Sequence, residues 1–157
     1  MNITLLLVGK TTNPHIQALV DDYTQRLSHY TTFRVAVIPE LKNTKKLTES
    51  QQKQAEGAAI LQQLQPQDHL ILLDERGSEM RSTELAQWLQ KKQNAAIRSL
   101  VFAIGGPYGF SPDVYARANG QISLSRLTFS HQLIRVIFAE QLYRAHTILR
   151  GEPYHHE

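Results

Sequence analysis

Five short apolar runs of strand length punctuate the chain, at Ile3 to Val8, Phe33 to Ile38, His69 to Asp74, Leu100 to Ile104 and Gln121 to Leu124. Between them apolar residues recur at helical spacing, so the pattern predicts the order β-α-β-α-β-α-β-α-β-α. The first helix carries Ile16, Leu19, Val20, Tyr23 and Leu27 on one side, behind an Asn13-Pro14 pair that suits an N-cap and a first-turn proline. A second, glutamine-rich helix is expected near Leu47 to Leu64, ending before Pro66, and a third is marked by Leu85, Trp88 and Leu89. Ser111-Pro112 opens a short fourth helix of about two turns, and Gly120 is placed to stop it in a left-handed conformation. Strands alternating with helices predict an α/β fold with a mostly parallel sheet covered on both faces. Ligands in such folds bind beyond the carboxyl ends of the strands, which directs attention to the residues just after Asp74, Ile104 and Leu124.

The last helical stretch, His131 to Leu149, has a different pattern. Leu133, Ile134, Val136, Ile137, Phe138, Ala139, Leu142, Tyr143, Ala145 and Ile148 leave it almost no polar face, so it is expected to be buried nearly all round. In a domain of this size a second subunit supplies that burial more easily than the same chain does, which predicts a homodimer packed partly through this helix. A central core helix in a monomer is the alternative.

Composition narrows the chemistry. A chain of 157 residues, 41% of them hydrophobic, fits one domain spanning residues 1–157. It contains no cysteine, so disulfides, thiolate nucleophiles and Cys-ligated metals are excluded, and a reducing cytoplasm suits it. Met1 to Gly9 is apolar over too few residues for a membrane span or a signal peptide, and reads as a buried first strand. Lys and Arg exceed Asp and Glu by 17 to 14, a balance compatible with a polyanionic partner but common in ordinary enzymes. Arg34, Lys42, Lys45, Lys46 and Lys53 share one stretch, which reads equally well as a solvated face. No internal repeat or low-complexity tract is present.

Gly9-Lys10-Thr11 imitates the end of a phosphate-binding loop, but the glycine that such a loop needs five residues earlier is Thr4, inside the strand. A Gly-x-Gly-x-x-Gly turn is also missing after the first strand, against a nucleotide site of the Rossmann type. The informative segment is Ile104-Gly105-Gly106-Pro107-Tyr108-Gly109-Phe110, in which three glycines let the backbone bend sharply and offer its N–H and C=O groups to a ligand. Ser123-Leu124-Ser125-Arg126-Leu127-Thr128-Phe129 forms a second strand-end loop, of small hydroxyls and apolar side chains, and Leu73-Asp74 ends a third strand. Together they predict an apolar slot with backbone hydrogen bonds, better suited to an adenine base and a sulfonium than to a phosphate. The tail Glu152-Pro153-Tyr154-His155-His156-Glu157 makes a poor metal site, because adjacent histidines diverge and no well-spaced third ligand accompanies them. Four of the seven histidines (His131, His146, His155 and His156) nevertheless lie in the final quarter, where they can move protons near neutral pH.

These segments, with His131, Arg135, the run Ala139-Glu140-Gln141-Leu142-Tyr143-Arg144-Ala145 and the ending Pro153-Tyr154-His155, resemble the ribosomal RNA large subunit methyltransferase H family over essentially the whole chain. The resemblance implies a SPOUT-type domain whose C-terminal part is threaded into a deep trefoil knot, against the general rule that chains avoid knots. It implies an obligate homodimer in the cytoplasm that uses S-adenosyl-L-methionine and no metal. The substrate it implies is N3 of a pseudouridine in helix 69 of 23S rRNA on the assembled ribosome. Matched residue by residue, the cofactor contacts fall on Leu73, Gly105, Leu124, Ser125, Arg126, Leu127, Thr128 and Phe129. Two departures stand out: Ser130-His131-Gln132 where the family often has Pro-His-Pro, and His156 where it often has an arginine, whose guanidinium fork a neutral histidine cannot supply.

Transfer to a ring nitrogen requires alignment and loss of the N3 proton. The tail residues Tyr154, His155 and Glu157 are expected to serve that proton and to fold over the cofactor, with His131 and Arg135 shaping the pocket. The alternatives are a knotted methyltransferase acting on another RNA such as tRNA, and a ribosome-binding module without catalysis.

Overall fold

The structure, a computed structural model, describes residues 1–156. Five strands are formed by Asn2–Val8 (β1), Thr32–Ile38 (β2), His69–Glu79 (β3), Ser99–Ile104 (β4) and Gly120–Ser123 (β5). The helices are Pro14–Leu27 (α1), Glu49–Gln62 (α2), Ser82–Asn94 (α3), Pro112–Arg117 (α4) and Leu133–Leu149 (α5), with a single 3-10 turn at Thr44–Lys46. All strand pairings are parallel, in the order β2-β1-β4-β3-β5.

Alternation along the strands divides the core into two layers. Ile3, Leu5 and Leu7 of β1 and Leu100, Phe102 and Ile104 of β4 face α1, α3 and α5, where they meet Leu27, Leu85, Leu89, Phe138 and Leu142. Leu6, Leu70, Leu72, Val101 and Ala103 face the other way, onto Ile60 of α2 and Val114 of α4. The strands are buried on both faces, which is why they read as continuous apolar runs.

The helix starts follow the sequence signals. The Asn13 side chain accepts from the N–H groups of His15 and Ile16, and Ser111 Oγ accepts from Val114 N. Thr48 and Gln51 form a reciprocal capping box at α2.

Two expectations differ from what is observed. Gly120 is not a left-handed helix stop: α4 closes at Ala118, and Gly120 opens β5, paired with Ile71. β3 does not end at Asp74 but continues to Glu79, with a register shift between Leu73 and Ser78 against β5. Gly77 permits this extension, because a Cβ there would lie within 3 Å of the Ile122 backbone.

Helix α5 buries one face, through Arg135, Phe138, Ala139, Leu142, Ala145, His146 and Thr147. Along the opposite stripe Leu133 is 43% exposed and Val136 and Ile137 are half-buried, so within one chain the helix is not covered all round. Among the described residues no helix is long and apolar enough to cross a membrane.

Candidate active site

A cleft of about 450 Å³ opens at the carboxyl ends of β3, β4 and β5. Its walls are Leu73 to Arg76 in β3, where the register against β5 shifts, Ile104 at the end of β4 with the following residues to Phe110 except Gly106, and Leu124, Ser125, Leu127, Thr128 and Phe129 after β5. Tyr115 of α4, Lys53 of α2, His131 and Ile134 complete it. The volume lies in the usual range for a small-molecule or cofactor site, about 300–1,000 Å³.

The glycine turn shapes the middle wall. Gly109 has φ +80 and its N–H donates to Gly106 O at 3.1 Å, closing a tight turn that presents Tyr108, itself 42% exposed, at the lip. At Gly105 a Cβ would stand 3.3 Å from the Gly109 carbonyl carbon and from the Phe110 ring, a tight fit that glycine relieves. A flat ring can therefore approach main-chain N–H and C=O groups at that point.

The third loop is braced by its own hydroxyls. Ser123 Oγ donates to Ser125 O at 2.9 Å, and Ser125 Oγ accepts from Leu127 N at 3.0 Å. Ser130 Oγ accepts from Leu133 N at 3.1 Å, joining the loop to the start of α5.

The Tyr115 hydroxyl donates to Asp74 Oδ2, while Asp74 Oδ1 accepts from Arg76 N at 2.9 Å. Burial, and then the hydrogen bond to Asp74, push the Tyr115 phenol up to about 12. The tyrosine thus stays a donor and fixes a carboxylate, an acceptor-only group, inside the cleft.

The structure gathers most of the residues singled out from the sequence and separates others. Leu73, Gly105, Leu124, Ser125, Leu127, Thr128, Phe129 and His131 all line the cleft. The Arg126 side chain does not: it is 85% exposed and its Nε donates to Glu79 Oε1 at 2.8 Å. Arg135 does not reach the cavity either. Its guanidinium is buried and donates to Thr11 Oγ1 at 2.9 Å and to Val8 O at 3.2 Å, fastening α5 to the end of β1, and burial lowers its pKa.

The tail lies on the outer stripe of α5 instead of over the cleft of its own chain. The Tyr154 hydroxyl donates to Glu140 Oε1 at 3.0 Å, and His155 Nδ1 lies 3.2 Å from Arg144 Nη1. Glu140 is six residues beyond Ile134, the last α5 residue in the wall, and so about 9 Å farther along the axis. Glu157 lies outside the described residues.

Lys53, Glu75, Arg76 and Tyr115 were not singled out from the sequence as cleft residues. Lys53 and Tyr115 come from helices on the far side of the sheet, and nothing in their local sequence points to the strand ends; Glu75 and Arg76 read as ordinary loop residues.

A family model described as "Predicted SPOUT methyltransferase" matches residues 1–155 of the chain. The chain belongs to the SPOUT methyltransferase family. Among curated relatives, the ribosomal RNA large subunit methyltransferase H proteins of Bacteroides thetaiotaomicron and Flavobacterium johnsoniae are 57% and 55% identical over 157 residues, the full length of both chains in each case. That of Christiangramia forsetii is 51% identical over 99% of each chain. A solved structure of a candidate RNA methyltransferase of the TrmH family from Porphyromonas gingivalis matches with a TM-score of 0.41 at 13% identity, over 89% of this chain and 58% of that one. That likeness is too distant to carry an argument. For a SPOUT methyltransferase, strand-end loops are where the strand-terminus rule places a ligand. Among the described residues, no group of three or more His, Asp or Glu is placed to hold a metal ion.

Proposed function

We propose that this chain transfers the methyl group of S-adenosylmethionine to N3 of a pseudouridine in helix 69 of 23S rRNA, in the cytoplasm, on the assembled ribosome. The observation that carries the reading is the strand-end cleft, whose middle wall exposes the backbone of Gly105 and Gly109 and whose β5 side is a loop of apolar side chains and small hydroxyls. It is supported by relatives of equal length, named ribosomal RNA large subunit methyltransferase H, that are more than half identical to the chain.

Leu73, Gly105 and the loop of Leu124, Ser125, Leu127, Thr128 and Phe129 would hold the cofactor, with Arg126 bracing that loop through Glu79. S-adenosylmethionine supplies, when bound, a methyl group on a sulfonium. Asp74, held by Tyr115, offers hydrogen-bond acceptors within the same walls. Lys53 lines the cleft, and a contact from it to an RNA phosphate would weaken as salt rises.

The proton on N3 is assigned to the tail. Burial, followed by the hydrogen bonds with Tyr23 and Glu140, raises the Tyr154 phenol above its ordinary range, so Tyr154 is a donor that fixes the tail, and acceptance falls to His155 or Glu157. A tail held along the outer stripe of α5 serves a cleft most readily when a second copy brings the two together. The open apolar stripe of Leu133, Val136 and Ile137 gives that copy a surface, and the proposed state is a homodimer of single-domain, C-terminally knotted chains. Sedimentation at micromolar concentration should give twice the chain mass; a monomer would remove this part of the proposal.

The test is incubation with labelled S-adenosylmethionine and ribosomes lacking the modification, with their free RNA as control. Label confined to a helix 69 pseudouridine in assembled ribosomes is expected. Cofactor binding without label would redirect the search to other RNAs such as tRNA, and no cofactor binding would leave a ribosome-binding module.

A further inference from the structure

Glu56 is a charged-type residue buried to 4% exposure on α2, and its Oε1 has no hydrogen-bond partner. Buried carboxyl oxygens are normally satisfied, so an orphan calls for a reason. Both oxygens press on Gly106, where a Cβ would stand 2.8 Å from Oε1 and closer still to Oε2. Gly106 has no positive φ, so a side chain there would meet the Glu56 carboxyl and no backbone strain, and it would fit only if that carboxyl shifted. The next residue repeats the pattern: a Cβ on Gly57 would fall within 3 Å of Cβ of Ser111, the residue that caps α4 just after the glycine turn. One turn earlier on the same helix, Lys53 reaches the cleft wall.

We infer that Glu56 is a positioning residue of the cleft: it seats the Gly106–Gly109 turn from behind and thereby sets cofactor affinity, without itself lining the cavity. The inference rests on the reading of the cleft as the methyl-donor site. Burial raises the pKa of Glu56, a hydrogen bond with Gln52 opposes the rise and Glu40 adds to it, so the seat shifts the group toward the neutral acid relative to a carboxyl in water. A neutral carboxyl can be buried against a backbone turn at far lower cost than a carboxylate. An isosteric neutral side chain should therefore replace it, and a short one should not.

The test measures S-adenosylmethionine affinity by calorimetry, and KM and kcat on ribosomes, for wild type, Glu56→Gln, Glu56→Ala, Gly106→Ala and the Glu56→Ala/Gly106→Ala pair. A turn displaced by about an ångström should weaken binding on the order of tenfold in Glu56→Ala and in Gly106→Ala. Glu56→Gln should stay near wild type, and kcat at saturating cofactor should change less than KM in every variant. Because the three atoms nearest an alanine methyl at 106 all belong to the Glu56 carboxyl, the pair should be less impaired than the two losses multiplied. If Glu56→Ala does not fold, Glu56→Gln and Gly106→Ala alone still decide the matter. Unchanged cofactor affinity in folded Glu56→Ala or Gly106→Ala, a loss in Glu56→Gln as large as in Glu56→Ala, or strict multiplication in the pair would overturn the inference. Absence of binding by wild type would instead overturn the reading of the cleft, and this inference with it.

Discussion

The two ends of α5 are built differently. At its start, His131 and Ile134 stand in the cleft wall, Leu133 is open, and the helix is held by polar threads: Gln132 Oε1 accepts from Thr12 N at 2.8 Å and Arg135 reaches back to Val8 and Thr11. At its end the rings of Tyr23, Tyr30, Tyr143 and Tyr154 pack on one another, His146 is buried beside Tyr30, and Arg150 lies 4.4 Å from the Tyr30 centroid. Tyr30 donates to Glu152 Oε2 at 2.5 Å, and that bond, then burial, holds the phenol at about 12. One end leaves backbone and side chains open to a ligand. The other uses its aromatic and charged groups on itself, which fixes the fold and the tail. Substitutions at the two ends should therefore separate binding from stability.

The largest effect is expected from Leu142→Ala, which empties a buried position between α5 and the sheet. It should cost about 2–5 kcal/mol in urea unfolding, and at temperatures where the variant is folded its cofactor affinity should match wild type. A proportionate loss of affinity would mean the two ends are not separable.

Next is the pH dependence of the closed end. Burial, helped by the charge of Arg150, lowers His146 to about 4 from an ordinary 6.5. The unfolded chain thus takes up a proton that the folded chain refuses, so stability is complete above pH 6.5 and falls as pH drops toward 4. The contribution is about 2–4 kcal/mol across that window. His146→Leu should flatten that part of the unfolding profile, and a profile as steep as wild type would place the titration elsewhere.

At the open end, Gly105→Val drives a branched side chain against Gly109 and Phe110. Overpacking of this kind is worth about 1–3 kcal/mol, here expected as a loss of S-adenosylmethionine affinity by calorimetry. The melting temperature should move less than that of Leu142→Ala. The smallest effect is expected from Tyr154→Phe, which removes one donor to Glu140. About 1 kcal/mol of stability should go with it, and affinity for the cofactor alone should be unchanged.

Much of this arrangement could be read beforehand. Continuous apolar runs and helical spacing located five strands and five helices, because strands buried on both faces are unbroken apolar segments. The three strand-end loops of the cleft were legible for the same reason: once Ile104 and Leu124 end buried runs, the glycines and small hydroxyls that follow must lie at one rim. What escaped depended on contacts distant in sequence. The polar run Glu75 to Glu79 reads as a loop, yet β3 runs through it and Ser78 and Glu79 pair with β5, an approach that the bare backbone of Gly77 allows. Arg135, one of the residues that carry the family resemblance, was expected to shape the pocket with His131. Helical geometry turns it instead toward β1, a direction set by its neighbours Phe138 and Ala139 on the buried face. Glu56 gave no sign at all in a glutamine-rich helix, since its environment is made by a turn fifty residues away.

The contrast between the ends can be examined in one measurement, hydrogen–deuterium exchange of the full chain with and without saturating S-adenosylmethionine. Slowed exchange is expected in 73–76, 104–110 and 124–131, the three segments that wall the cleft. Saturable binding that leaves those three segments unprotected would contradict the account.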